Sequence, residues 1–180
     1  MSSPRRRWND KFTRILEGER EAEVPDWVRK SAPGGPEPLV DLACGLAGTL
    51  LWWTEQGRSG IGIDVSDVVL RHLRQLHPGL PLVQGDLERA EPIRFTRATY
   101  LLRFFYAPDL MDRIAREAPS GSRVLIETYV TGEEDGEAPI NPTYCLEPGE
   151  LGERFRTWDH KYYREDTEEH PEVARLVAAV

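Results

Sequence analysis

Apolar residues recur at helical spacing near the start of the chain. Trp8, Phe12, Ile15 and Leu16 lie among charges in the segment 5–30, which predicts a short amphipathic helix. A loop and a helical turn around Pro25–Val28 follow, with Asp26 placed to cap that turn. Residues 31–38 (Ser-Ala-Pro-Gly-Gly-Pro-Glu-Pro) are loop chemistry throughout and close off an N-terminal helical segment, 1–37. From residue 38 the pattern changes to short apolar runs alternating with helix-length stretches. Strands are predicted at 38–42, 60–65, 80–83, 98–103 and 123–130, and helices at 49–56, 67–76 and 108–117. Ser66 is the expected N-cap of the second of these helices. Strands separated by helices imply right-handed crossovers and a mostly parallel sheet. The tail differs. Segments 155–164 and 173–180 read as strands joined by a polar turn around His170-Pro171, and strands so closely connected pair antiparallel. Residues 131–142 form the longest predicted loop.

Composition narrows the function classes. A length of 180 residues suits a single compact domain, and 39% hydrophobic with 30% charged residues is the balance of a folded soluble chain. The net charge of −8 argues against nucleic acid as partner, because phosphate neutralisation needs a clustered positive surface. The run Arg5-Arg6-Arg7 reads as a solvated tail. Cys44 and Cys145 make no C-x-x-C pair, and the histidines at 72, 77, 160 and 170 are scattered, so no metal site is expected. No apolar run approaches the roughly 18 residues of a membrane helix, and no signal-peptide segment follows the basic start. The expectation is a reduced, cytoplasmic protein that does not engage membranes.

The candidate chemistry begins at Val40-Asp41-Leu42-Ala43-Cys44-Gly45-Leu46-Ala47-Gly48, a strand that ends in small residues and opens a helix. Small side chains let the backbone approach a ligand closely. Asp64 ends the second strand about 20 residues later, where an acid can accept both hydrogen bonds of a ribose diol. Asp86 follows the third strand in the same relation. Three acids at the carboxyl ends of three consecutive strands mark the crevice where open parallel sheets bind ligands. A dinucleotide-binding domain would want G-x-G-x-x-G, which Ala43, Gly45 and Gly48 match only in part. Asp41 is awkward for a pyrophosphate and better suited to a cation.

The segments Asp41-Leu42-Ala43-Cys44-Gly45, Gly62-Ile63-Asp64-Val65-Ser66 and Gly85-Asp86-Leu87 resemble the cofactor-contacting motifs of class I methyltransferases, which use S-adenosylmethionine (SAM). Trp8-Asn9-Asp10-Lys11-Phe12, Leu102-Arg103-Phe104 with Pro108, residues 121–129, Asn141-Pro142 and Leu146-Glu147-Pro148-Gly149-Glu150-Leu151 resemble a bacterial subgroup related to tellurite-resistance and thiopurine methyltransferases. The resemblance covers nearly the whole chain in order. It implies a Rossmann-like α/β fold with a mostly parallel seven-stranded sheet in the order 3-2-1-4-5-7-6, ending in a C-terminal antiparallel hairpin. It also implies a SAM-binding domain at 38–180 and methyl transfer to a small-molecule acceptor, leaving S-adenosylhomocysteine. By the same resemblance Asp41, Ala43, Cys44 and Gly45 surround the methionine part of SAM. Asp64 holds the ribose, Val65 packs on the adenine, Asp86 with Leu87 reads its amine, and Leu102 and Arg103 border the methionine end. Leu46 is bulkier than the family's usual small polar residue, and Tyr106 stands where relatives often carry His.

The catalytic candidates are Arg103, Tyr106 and Glu127, each with a plain structural alternative. Arg103 suits an anionic acceptor or the SAM carboxylate, or else an ion pair with an acid such as Asp109. Tyr106 would orient an acceptor or simply pack, and Glu127 would act at the site or make a structural hydrogen bond. Cys44 reads as a packed thiol, and Trp52 and Trp53 as core. Trp8 and Phe12 would form a lid over the cofactor or merely dock. A non-catalytic SAM-sensing module of the same fold is the second functional reading.

Overall fold

The computed structural model describes residues 3–18, 22–89, 93–131, 144–166 and 173–180. The predicted loop 131–142, the Asn141-Pro142 pair and the His170-Pro171 turn therefore lie, all or nearly all, outside the described residues. The chain divides into two compact units, Met1–Glu91 and Pro92–Val180.

The first unit runs α1 (Pro4–Glu17), α2 (Asp26–Ser31), β1 (Leu39–Leu42), α3 (Gly48–Glu55), β2 (Gly60–Asp64), α4 (Asp67–Leu76) and β3 (Leu82–Gln84). Helix α1 starts where Ser3 accepts a hydrogen bond from the Arg6 amide at 3.4 Å and Pro4 fills the first turn, a position that needs no N–H. Helix α4 begins as the sequence predicts, with the Ser66 hydroxyl accepting from the Val69 amide and Asp67 complementing the helix dipole. Its buried face is Val69, Leu70 and Leu73. Helix α2 departs from expectation. Pro25, in extended conformation, occupies the N-cap, and Asp26 is the first helical residue, where it meets the dipole without capping. Strands β1, β2 and β3 pair in parallel, Asp41 opposite Gly62 and Asp64 opposite Gln84. Gly62 lets β2 lie close beneath its neighbours: a Cβ there would come within 2.9 Å of the Cys44 Sγ.

The second unit runs β4 (Thr99–Arg103), α5 (Pro108–Glu117), β5 (Arg123–Tyr129), α6 (Glu150–Arg154), β6 (Asp159–Asp166) and β7 (Val173–Ala179). Strand β4 pairs parallel with β5, β5 antiparallel with β7, and β7 antiparallel with β6. The strand order is β3-β2-β1-β4-β5-β7-β6, a mostly parallel seven-stranded sheet with the antiparallel C-terminal pair. The expected strand 155–164 begins only at Asp159. Ahead of it, Phe155 and Trp158 are buried in a turn, their rings edge-to-face at 5.2 Å, and the Trp158 indole donates to the Ala115 carbonyl of α5. Helix α6 has no counterpart among the predicted elements. It is too short for periodicity and starts from a left-handed Gly149.

Candidate functional site

In the first unit the site is built on the loop between β1 and α3. Three of its five residues are left-handed, Ala43 (φ 58°), Gly45 (φ 51°) and Ala47 (φ 55°). Only Gly45 adopts this region freely, so the two alanines carry strain of about 1 kcal/mol or more each. The loop is held in place by hydrogen bonds. The Cys44 amide donates to the Ile63 carbonyl at 3.0 Å, the Ala47 amide to the Cys44 carbonyl at 2.8 Å, and the Gly45 amide to Asp64 Oδ2 at 2.9 Å.

Asp64 is buried at the end of β2, and its Oδ1 accepts from the Ser66 amide at 2.8 Å. Burial raises its carboxyl above the usual range, partly opposed by these backbone donors. With four lone-pair sites, the carboxylate can accept further hydrogen bonds beyond these. Asp41 is also buried. The Cys44 thiol is pushed well up, first by burial and then by the charges of Asp41 and Asp64. A negative environment of this kind disfavours the thiolate that a nucleophile needs. Asp86 turns its own loop, accepting from the Glu88 amide at 3.1 Å and pairing with Arg89 at 3.4 Å, with Leu87 buried beside it. Val65 is half-buried, and its carbonyl accepts from Gln84.

Helix α1 lies against all three carboxyl-end loops of this unit. Phe12 is buried over Gly45, where an added Cβ would meet its ring at 3.3 Å. Asn9 donates to Asp67 Oδ1 at 2.8 Å and accepts from the Ser66 hydroxyl at 2.8 Å. Arg5 pairs with Asp67 at 2.8 Å and Arg7 with Glu88 at 3.1 Å. Hydrogen bonds from Arg5 and Asn9 hold the Asp67 carboxyl well below the usual carboxylate range. Trp8 stacks near Phe12 at 6.0 Å, with the Lys11 ammonium 4.4 Å above its ring. The Asn9 and Asp67 contacts were not foreseen in the sequence, although Asn9 stands within the Trp8-Asn9-Asp10-Lys11-Phe12 segment.

In the second unit Leu102 is buried in β4. Its neighbour Arg103 donates through Nε to Glu127 Oε2 at 2.8 Å, so its partner is Glu127 rather than the exposed Asp109. Arg175 of β7 donates through Nε to Glu127 Oε1, also at 2.8 Å. The buried Glu127 carboxylate is thus bracketed by two guanidiniums. Tyr106 belongs to a different cluster. Its hydroxyl donates to Glu150 and accepts from Arg154 at 2.9 Å, and Arg154 also pairs with Glu150 and Asp112. Burial, with Glu150 alongside, pushes the Tyr106 phenol up to about 12. Glu150 and Arg154 escaped the sequence reading as site residues, though their i,i+4 spacing carries the signal of a helical ion pair. Trp53 is core, whereas Trp52 is half-buried and stacks under Arg29. Among the described residues, no cluster of His, Cys, Asp or Glu could hold a metal ion, and no helix is long and apolar enough to cross a membrane.

By sequence the chain matches no family model and no curated protein. By structure it matches TehB from Haemophilus influenzae with a TM-score of 0.72 at 17% identity, over 95% of this chain and 66% of that one. A TehB-like SAM-dependent methyltransferase from Corynebacterium glutamicum superposes with a TM-score of 0.64 at 15% identity, over 97% and 96% of the two chains. The fold is that of the class I SAM-dependent methyltransferases. The [4+2]-cyclase SpnF shares this class I fold as well, with a TM-score of 0.65 at 15% identity, over 86% of this chain and 78% of that one. The class I fold therefore hosts more than one chemistry, and the site has to decide function.

Proposed function

We propose that this protein transfers a methyl group from SAM to a small-molecule acceptor. The observation that carries the reading is the charge of the left-handed loop 43–47, which sits between two buried acids, Asp41 and Asp64, whose fields both act on the Cys44 thiol. A cradle of that sign repels a pyrophosphate and favours a ligand bearing an ammonium and a sulfonium. The remaining lone pairs of Asp64 suit a ribose diol, Asp86 and Leu87 suit an adenine edge, and Val65 suits its face. Ala43 and Gly45 present backbone to the methionine part. Helix α1, packed on the loop after β1 through Phe12 and bonded to those after β2 and β3, serves as the lid over the cofactor, with the rest of the chain from residue 38 forming the binding domain. A reduced cytoplasmic setting agrees with the free thiols Cys44 and Cys145.

SAM supplies an already activated methyl, so the protein contributes alignment and exclusion of water. The side chains support this division. Tyr106 is held protonated between Glu150 and Arg154, and Glu127 is committed to two arginines. Neither acts as a general base, so the acceptor attacks with a lone pair it already has. The same saturation favours the second reading, a SAM-binding module without turnover. Incubation with labelled SAM and a panel of thiols, amines and oxyanions separates them. Label transfer to an acceptor supports the enzyme, SAM binding without transfer supports the module, and absence of SAM binding overturns both.

A further inference from the structure

The second unit carries a row of charged residues across its sheet. Arg103 of β4 lies opposite Glu127 of β5, Glu127 opposite Arg175 of β7, and Arg175 opposite Arg164 of β6. Residues in register share one sheet face, so Arg103, Glu127, Arg175 and Arg164 form one charged row across four strands. Glu127 is neutralised twice over, because Arg103 and Arg175 each give it one Nε bond. Arg103 spends only that bond. Its two Nη groups have no acceptor among the described residues, and its side chain is 26% exposed. Half of a fork suited to an oxyanion is therefore left without a protein acceptor.

Beside it stands an apolar platform. Phe104 is exposed yet held in a left-handed conformation (φ 52°), fixed by its amide bond to the Glu127 carbonyl at 2.7 Å. Its ring stacks on Tyr129 at 4.9 Å and 32°, and the Arg103 guanidinium lies 5.3 Å from its centroid. Tyr129 shares the strand face of Glu127, two residues on. Exposure of a large apolar ring is unfavourable in a free surface and is relieved when a ligand covers the ring, while a strained backbone held at a surface position is a feature of ligand-binding sites.

We infer that this face of the second unit binds a planar organic anion, its oxyanion held by Arg103 and its flat apolar body laid on Phe104 and Tyr129. That such an anion is the methyl acceptor rests on the methyl-transfer reading; the anion site does not. It also agrees with the missing general base, since the anionic charge makes no demand on Glu127 or Tyr106.

Benzoate and benzamide serve as matched probes, followed by NMR at the Arg103 Nε–H and the Phe104 and Tyr129 amides, with SAM binding measured separately on the same samples. The expected result is that benzoate shifts these signals saturably and benzamide, at equal concentration, does not. Arg103→Met should weaken benzoate at least about tenfold, the loss of a charged hydrogen bond. Because that variant strips a partner from buried Glu127, Arg103→Lys is the companion: it keeps a cation there and loses the fork, and should also weaken benzoate several-fold. Equal binding of benzamide, or unchanged benzoate affinity in folded Arg103→Lys, overturns the proposal. So does a fall in SAM affinity in Arg103→Lys matched by no change in benzoate, which would assign the fork to the cofactor's carboxylate. Benzoate binding in a protein that fails to bind SAM keeps the anion site and overturns the methyltransferase reading instead.

Discussion

Replacing Asp64 by Asn tests both the architecture and the chemistry of the loop site. The carboxylate accepts from the Gly45 amide at 2.9 Å and from the Ser66 amide at 2.8 Å, one bond to each oxygen. An Asn keeps one acceptor oxygen and turns an NH2 toward the other amide, so one charge-assisted bond is lost and a buried donor is left facing a donor. Hydrogen bonds to charged groups contribute about 1.5–3 kcal/mol, and an unsatisfied buried donor costs about 1–3 kcal/mol. The loss is partly relieved because burial has raised the Asp64 carboxyl, meaning that the charged form is disfavoured where it sits. About 2 kcal/mol of destabilisation is the expected result, a substantial share of the 5–15 kcal/mol typical of a domain. Urea unfolding at neutral pH measures it as a lowered midpoint with unchanged slope. Calorimetric titration with S-adenosylhomocysteine should show binding weakened by about 1–3 kcal/mol in the same variant, from the ribose bonds that Asn cannot match. Asp64→Ala should destabilise more, because both amides then lose their acceptor. If Asp64→Asn leaves midpoint and affinity unchanged, the carboxylate neither braces the loop nor reads a ribose, and the reasoning fails.

Asp67 gives the pH dependence. Its folded carboxyl lies below the ordinary value near 3.9, so the stability it contributes is present above that value and is lost as pH falls through the folded one. Wild type should therefore lose more stability between pH 5 and pH 3 than Asp67→Asn does; parallel urea curves for the two would refute the Arg5–Asn9–Asp67 account. Gly45→Ala forces a Cβ at φ 51° to within 3.3 Å of the Phe12 ring, and should cost about 1 kcal/mol while loosening α1, seen as faster amide exchange in α1. Unchanged exchange would mean that Phe12 does not depend on Gly45. Tyr106→Phe should lower stability by about 1 kcal/mol and leave the pH profile of methyl transfer in place, because a phenol held near 12 takes no proton at neutral pH. A shifted profile would make Tyr106 catalytic.

Local chemistry made much of the fold legible in the sequence. The Ser66 cap, the Pro108 helix start and the apolar runs of β1, β4 and β5 are set by residues a few positions apart. Strand order came instead from the family resemblance, since periodicity carries no information on which strand neighbours which. Helix α6 was illegible because five residues span little more than one turn, and Phe155 and Trp158 mimic strand alternation while in fact packing into a turn. At the site, the positions of Asp41, Asp64 and Asp86 relative to their strands followed from spacing. Their present partners did not. That Asp64 braces Gly45, that Phe12 covers it, and that Glu127 belongs to Arg103 and Arg175 depend on contacts up to 48 residues apart in the chain. Only the packed structure assigns such pairs.

Equilibrium dialysis of the wild-type protein against labelled SAM, with S-adenosylhomocysteine and NADH as competitors, tests the central claim most directly. The account expects saturable, stoichiometric SAM binding that S-adenosylhomocysteine displaces and NADH does not, weakened in Asp64→Asn. Absence of SAM binding, or displacement by NADH instead, would contradict it.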